Sequence, residues 1–388
     1  MSKGKRRAGI AVYCIALVLI YDLIYSNFFH NPSEPIPGRP NDEYDHGFAP
    51  NFSGSRPWGG LRYPFFTNSL GFVDSTVREV PMKSESRRVI LIGDSFTEAI
   101  GLAFHDTFAG MLSRAGQERT DKIEFLNAGV ASYSPAIYYK KIKHIIESGV
   151  EFDELVVFSD LSDVTDEAAD YFCIDDDPRY RAHCVLPSPQ TSEARPKAFS
   201  LQSHFYILDQ TRQLILRQMR KRILYPAQDW LGTEKRKAVR THRSAWTIAD
   251  FDVGDWYQPL GIEGGIARSL QNMQALADLL ASRHIPLTIV VYPWPMQLDL
   301  NDRESRQVAI WRDFCARSCK EFINLFPAFF AEKDANENWY ERLFIHGDIH
   351  YSAEGNRLMF RELSVRLLRD PGTPRASPSI NATAKARP

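Results

Sequence analysis

The stretch from Arg87 to Gly101, RRVILIGDSFTEAIG, runs apolar residues directly into Gly93-Asp94-Ser95. Its apolar part is short, continuous and β-branched, the pattern of a strand buried on both faces rather than of one helix face. The tripeptide that ends it has two readings. One is a turn that stops the strand, since Gly, Asp and Ser are common turn formers. The other is a nucleophile, Ser95, held at the carboxyl edge of a sheet, where open α/β folds place their chemistry.

Working outward, strand and helix patterns alternate. DTFAGMLSRAG predicts a helix with Asp106 as N-cap and Gly116 beyond its end, and KIEFLNA a second strand. SPAIYYKKIKHIIESG predicts an amphipathic helix opened by Ser134-Pro135 and closed by Gly149, and ELVVFSD a third strand. Further on come a long helix near Ile262 to Arg283, the strand PLTIVVYP, a helix ending near Cys315, the strand EFINLF and a last helix after Ser352. This alternation predicts a three-layer α/β/α sandwich around a mostly parallel sheet, over residues 81–369.

An insertion at about 168–261 breaks the pattern and carries a basic cluster, Arg217, Arg220, Lys221, Arg222, Lys235, Arg236, Lys237, Arg240 and Arg243. It is either a solvated helix face or an arm for anionic lipid or glycan. Residues 370–388 are rich in Pro, Ala and Ser and predict a disordered tail.

Upstream, residues 30–80 read as an extended lead, rich in Pro, Gly and Asn, followed by a hairpin around Asn68-Ser69. Before them, Lys3, Lys5, Arg6 and Arg7 precede an apolar run from Ala8 to Ile24 broken only by Asp22. A bilayer-spanning helix needs about 20 mostly apolar residues. Residues 1–29 therefore predict an uncleaved signal anchor, a single pass with the body in the periplasm or another extracytoplasmic space. Cys173 with Cys184, and Cys315 with Cys319, are spaced as two local pairs that are either disulfides of an oxidising compartment or buried thiols.

Charge excludes more than it suggests. With 47 Lys and Arg against 48 Asp and Glu, the net charge of −1 gives no field for nucleic acid. No Gly-rich phosphate loop appears, and nothing calls for a cofactor. The acidic run Asp160, Asp163, Asp166 and Glu167 admits a hard-cation reading, without a recognisable ligand loop.

A serine attacks a carbonyl only if a base takes its proton and a third group orients that base. Just before the last helix stands HGDIHYSAEGN, which places Asp348 and His350 in one loop, with His346 as the alternative base. GDSF after the first buried strand, NAGVASYSP after the second, and this Asp-x-His loop occur in the order of the SGNH (GDSL-type) hydrolase superfamily, which the chain resembles from about Arg87 to Leu368 outside the insertion. That resemblance implies Ser95 as nucleophile, His350 as general base, Asp348 as its orienting partner, and the backbone N–H groups of Ser95 and Gly129 as oxyanion donors.

Two departures from the family pattern stand out. The third block usually reads Gly-x-Asn-Asp, and its Asn donates to the oxyanion. Here FSDLSDVTDE puts Asp160 at the Gly and Ser162 at the Asn, leaving Ser162 or Asn127 as substitute donors. Losing one such donor costs roughly 10²–10³ in turnover. The Asp-x-His spacing, shorter than the usual Asp-x-x-His, resembles the membrane-tethered alginate O-acetyltransferase group.

These features predict a serine esterase or O-acyltransferase acting on acylated carbohydrate or another ester, tethered to the membrane, with a membrane acyl-donor protein as a further partner. Tyr133, Tyr138, Trp294 and Tyr351 are either sugar-stacking residues or core. The rival class is a non-catalytic SGNH-type binding or assembly module of a polysaccharide machine.

Overall fold

The computed structural model describes residues 3–25, 37–58, 61–174, 243–247 and 254–369. Helix α1 (Lys3–Ile24) comes first, and its stretch Lys5–Ile24 is long and apolar enough to cross a membrane. A two-stranded ribbon follows, β1 (Gly38–Asn41) against β2 (Asp45–Phe48). The remaining strands form one eight-stranded sheet. They are β3 (Ser53–Trp58), β4 (Leu61–Thr67), β5 (Val73–Asp74), β6 (Arg87–Gly93), β7 (Ile123–Asn127), β8 (Glu154–Ser159), β9 (Leu287–Val291) and β10 (Glu321–Asn324), in the order β10-β9-β8-β6-β7-β5-β4-β3.

From β10 to β7 neighbouring strands run parallel, while β5, β4 and β3 extend the sheet antiparallel. Helices α2 (Ser95–Glu98) and α3 (Phe108–Gln117) follow β6, α4 (Pro135–Glu147) follows β7, and α5 (Asp163–Ala169) follows β8. Later come α6 (Gly261–Ala281), α7 (Pro295–Asp299), α8 (Arg306–Ser318), α9 (Phe326–Ala335), α10 (Trp339–Leu343) and α11 (Ala353–Leu367). Helices α4, α5 and α6 pack on one another, as α3 packs on α11.

Val89, Ile90, Leu91 and Ile92 have no exposed surface. Successive strand residues point to opposite faces, so helices cover both sides of β6 and the fold is an α/β/α sandwich. Burying each such side chain stabilises the fold by about 1.5–3 kcal/mol. Arg87 and Arg88 begin the strand at the opposite end from Ser95. Arg88 Nε meets Glu124 Oε2 at 2.7 Å, and Glu154 Oε2 bridges Arg87 and Lys320 at 2.6 and 2.7 Å. These pairs join β6, β7, β8 and the start of β10 at the amino edge.

Two local expectations are corrected. Residues 38–58 are not an extended lead, because β1 and β2 form a ribbon and β3 joins the sheet. Pro57, which has no N–H to give to a ladder, fits because β3 is the edge strand. The N-cap of α3 is Thr107, whose side chain accepts from Gly110 N–H at 3.0 Å. Asp106 closes a 3₁₀ turn before it, and Gly116 lies inside the helix.

The hairpin around Asn68-Ser69 forms between β4 and β5, with Asn68 Oδ1 accepting from the N–H groups of Leu70 and Phe72. Cys315 and Cys319 form a disulfide, and Cys173 is also disulfide-bonded. Cys184, the basic cluster before Arg243, most of the 168–261 insertion and the 370–388 tail lie outside the described residues.

Candidate active site

Strand β6 lies between β7 and β8, so the chain leaves β6 on one side for β7 and returns on the other for β8. Open α/β sheets bind ligands at the carboxyl ends of strands where the order reverses in this way. Ser95 stands at that end. Asp94 caps α2, its Oδ1 accepting from Phe96 N–H at 2.9 Å, and the helix stops after one turn at Ala99, whose φ is 59°. Gly93 allows the sharp exit: a Cβ there would lie 2.1 Å from Thr97 Oγ1.

The loop between α10 and α11 brings the other two groups. Phe344 and Tyr351 form an isolated bridge, Ile345 N–H donates to the His350 carbonyl at 2.8 Å, and Tyr340 Oη donates to the Asp348 carbonyl at 2.8 Å. In this frame His350 Nε2 lies 2.8 Å from Ser95 Oγ, and His350 Nδ1 lies 2.7 Å from Asp348 Oδ1. Asp348 Oδ1 also accepts from the N–H groups of Ile349 and His350, at 2.6 and 3.1 Å. Burial alone would raise the Asp348 carboxyl, but the hydrogen bonds and charge of His350, together with the Trp58 indole, hold it at about 2.

Trp58, at the end of β3, was not legible as a site residue. Its Nε1 donates to Asp348 Oδ2 at 2.7 Å, and its ring meets the His350 ring edge-on at 5.3 Å. A tryptophan in an apparent linker carries no sequence signal for this role.

Ser95 Oγ also lies 3.2 Å from Asp94 Oδ2, and Tyr292 Oη donates to Asp94 Oδ1 at 3.2 Å. Burial first, and then the Asp160 carboxylate, push Asp94 well above the ordinary carboxylate range.

The backbone N–H of Ser95 makes no hydrogen bond among the described residues. Gly129 N–H donates to Asn127 Oδ1 at 3.0 Å, and Asn127 Nδ2 donates to the Thr97 carbonyl at 2.8 Å. Gly129 packs on α2 so closely that a Cβ would sit 2.7 Å from Thr97 Cβ and 2.8 Å from Glu98 N. Ser162 is buried, its Oγ 2.7 Å from Asp160 Oδ1 and 3.3 Å from Asp166 Oδ2.

The acidic run is bonded internally. Trp294 Nε1 donates to Asp160 Oδ2 at 2.8 Å and Tyr138 Oη to Asp163 Oδ1 at 3.1 Å, while Arg243 approaches Asp166 at 3.3 Å and Arg268 approaches Glu167 at 3.3 Å. Among the described residues no group of His, Cys, Asp or Glu is placed to hold a metal ion. Tyr133, Tyr138, Trp294 and Tyr351 are buried, so they are core and not a sugar-stacking surface.

No family model and no curated protein matches the chain. Solved structures similar to it include an acetylxylan esterase from Geobacillus stearothermophilus (10% identity, covering 74% of this chain and 95% of that one, TM-score 0.40). Others are a lipolytic G-D-S-L family protein from Veillonella parvula (12%, 73% and 100%, TM-score 0.39) and a psychrotrophic esterase from a Pseudoalteromonas species (9%, 73% and 100%, TM-score 0.38).

Proposed function

We propose that the protein is an exported, membrane-anchored SGNH-type serine esterase or O-acyltransferase that acts on O-acyl groups, acetyl foremost, of an envelope polysaccharide. The observation that carries this is the continuous chain from Ser95 Oγ through His350 to Asp348, with contacts of 2.8 and 2.7 Å. As Ser95 Oγ bonds to the ester carbon, its proton passes to His350 Nε2, and the carbonyl oxygen takes up negative charge. When that intermediate collapses the ester C–O bond breaks, His350 returns the proton to the leaving hydroxyl, and the acyl group stays on Ser95. Water or an acceptor hydroxyl, deprotonated by His350, then removes it.

We assign the oxyanion donors to the backbone N–H groups of Ser95 and Gly129, the latter exchanging Asn127 Oδ1 for the substrate. Asn127 and Ser162 act as braces, the first of the loop after β7 and the second of Asp160. The apolar length of α1 supports the anchor. An acylated carbohydrate is the substrate that suits an exported, tethered ester enzyme.

The test is labelling of the detergent-solubilised full chain by a fluorophosphonate serine probe in wild type, Ser95→Ala and His350→Ala. Labelling lost in both variants is expected. Undiminished labelling in both overturns the triad, and a folded wild type that stays unlabelled favours the non-catalytic assembly module.

A further inference from the structure

The peptide between Ala128 and Gly129 is engaged on both sides. Its N–H is the Gly129 donor already described. Its carbonyl accepts from Lys141 Nζ of α4 at 3.0 Å, and the same ammonium reaches the Tyr133 hydroxyl at 3.1 Å. Lys141 is only 2% exposed, and its Nζ lies 4.7, 5.1 and 5.4 Å from the ring centres of Tyr133, Phe72 and Tyr44. No carboxylate among the described residues forms an ion pair with it.

A buried ammonium is costly, and this one occupies the apolar stripe of α4, beside the buried positions Tyr138, Ile142 and Ile145. Packing alone would be better served there by leucine. The rings lower the cost through cation–π attraction, but they do not explain why a cation is present.

We propose that Lys141 is a positioning residue for Ser95 chemistry: by gripping the Ala128 carbonyl it polarises the Ala128–Gly129 peptide and makes the Gly129 N–H a stronger donor to the oxyanion. This rests on the esterase function proposed above. Linked hydrogen bonds strengthen one another in a low-dielectric interior. The Asn127 side-chain amide oxygen Oδ1 that holds the N–H at rest is a neutral acceptor, and a charged oxygen binds the same donor about twice as strongly. The surrounding loop is fixed for this purpose, with Ala131 N–H donating to Glu98 Oε2 at 2.9 Å and His46 Nε2 lying 2.8 Å from the Ala131 carbonyl.

The device depends on a proton. Burial lowers Lys141 to about 7, against a smaller opposing pull from the Glu98 carboxylate on α2. Glu98 is itself raised by burial and paired with Arg56 of β3. Tyr44 from the β1–β2 turn and Tyr133 from the loop after β7 are raised by burial and stay uncharged across this range. On α4 itself the nearby titratable group is His144, whose ring meets Tyr44 at 5.4 Å. A cavity of about 380 Å³ is lined by Lys141, Tyr44, Phe72 and His144.

The experiment measures the rate constant for phosphonylation of Ser95 by the fluorophosphonate probe, whose phosphoryl oxygen takes the oxyanion position, from pH 5.5 to 9. Wild type, Lys141→Met and Lys141→Arg are compared as full chains. The wild-type rate should fall as the pH rises past Lys141, with a midpoint near pH 7. Lys141→Met should be about ten-fold slower at pH 6.5, less than the loss of a whole donor, and should lack the fall. Lys141→Arg should keep the rate and also lack the fall.

A Met variant with the wild-type rate and the same falling limb overturns the inference and leaves the esterase intact. If that variant does not fold, Lys141→Arg decides: a falling limb near pH 7 that persists unchanged in Lys141→Arg overturns the role of Lys141. A folded wild type that does not react at Ser95 overturns the esterase, and this inference with it.

Discussion

Trp58 Nε1 donates to Asp348 Oδ2 at 2.7 Å, so two residues 290 apart in sequence share one hydrogen bond beside His350. The edge strand before the parallel sheet therefore reaches across its carboxyl end. It supplies the second oxygen of Asp348 with a partner while Oδ1 serves His350.

Trp58→Phe keeps a ring against His350 and removes only the indole N–H. A hydrogen bond to a charged group is worth about 1.5–3 kcal/mol, part of which water restores at a half-exposed site. Ester kcat/KM should fall about ten-fold with the thermal midpoint little changed. An activity equal to wild type would show that Oδ1 alone sets the orientation of His350.

Asp348→Asn tests the orienting partner directly. The amide offers its N–H to the loop or to the imidazole and no longer favours the tautomer with the proton on Nδ1, the state Ser95 needs. Loss of turnover should be on the order of 10³–10⁴-fold. Steady-state hydrolysis of a small acetyl ester reads this, and a loss below ten-fold would remove Asp348 from the proposed triad.

Ser162→Ala separates a brace from an oxyanion donor. If the hydroxyl serves Asp160 and Asp166, turnover should change by less than ten-fold while stability falls by about 1–2 kcal/mol, the typical cost of a buried acceptor losing its donor. A turnover loss of roughly 10²–10³ with unchanged stability would instead place Ser162 at the oxyanion.

The buried carboxyls set a direction for stability against pH. Burial, the largest cause in both, raises Asp166 to about 8 and Glu167 to about 7. Between about pH 4 and these values the folded chain holds protons that the unfolded chain releases. Their stabilising contribution is complete below pH 4 and is lost as pH rises. Asp348, held at about 2, acts in the opposite sense and only below pH 4. Lys141, lowered to about 7, favours folding with rising pH only above pH 7. The thermal midpoint should therefore decline from pH 5 to pH 7, and Asp166→Asn should flatten the decline. A midpoint that climbs across that range contradicts the protonated state of this cluster.

Much of the parallel sheet was legible because RRVILIG, KIEFLNA and ELVVFSD are uninterrupted apolar runs between helical periods, a local signal that burial on both faces imposes. Ser95, Asp348 and His350 were legible as candidates because GDSF after such a run and an Asp-x-His loop before the last helix occur in the order of a known superfamily, whereas the tripeptide alone reads equally well as a turn. The strands β1, β2 and β3 were not legible, because ribbon and edge strands rich in Gly and Pro bury little and resemble a linker. Trp58 was hidden in that same stretch. Lys141 left a faint trace, a lysine where the period of α4 calls for an apolar residue, yet only the fold shows that its ammonium meets the Ala128 carbonyl. Asp106 and Thr107 differ by one position, within the uncertainty of any helix start read from capping residues.

Helix α1 ends at Ile24 and the first strand begins at Gly38. A trans chain spans at most ~3.3–3.6 Å per residue, so the connection reaches no more than about 50 Å. With α1 in the bilayer, Ser95 patrols a thin shell at the membrane face. Its encounters are then governed by lateral traffic within that shell, and local surface density replaces bulk concentration as the quantity that sets how often a partner is met.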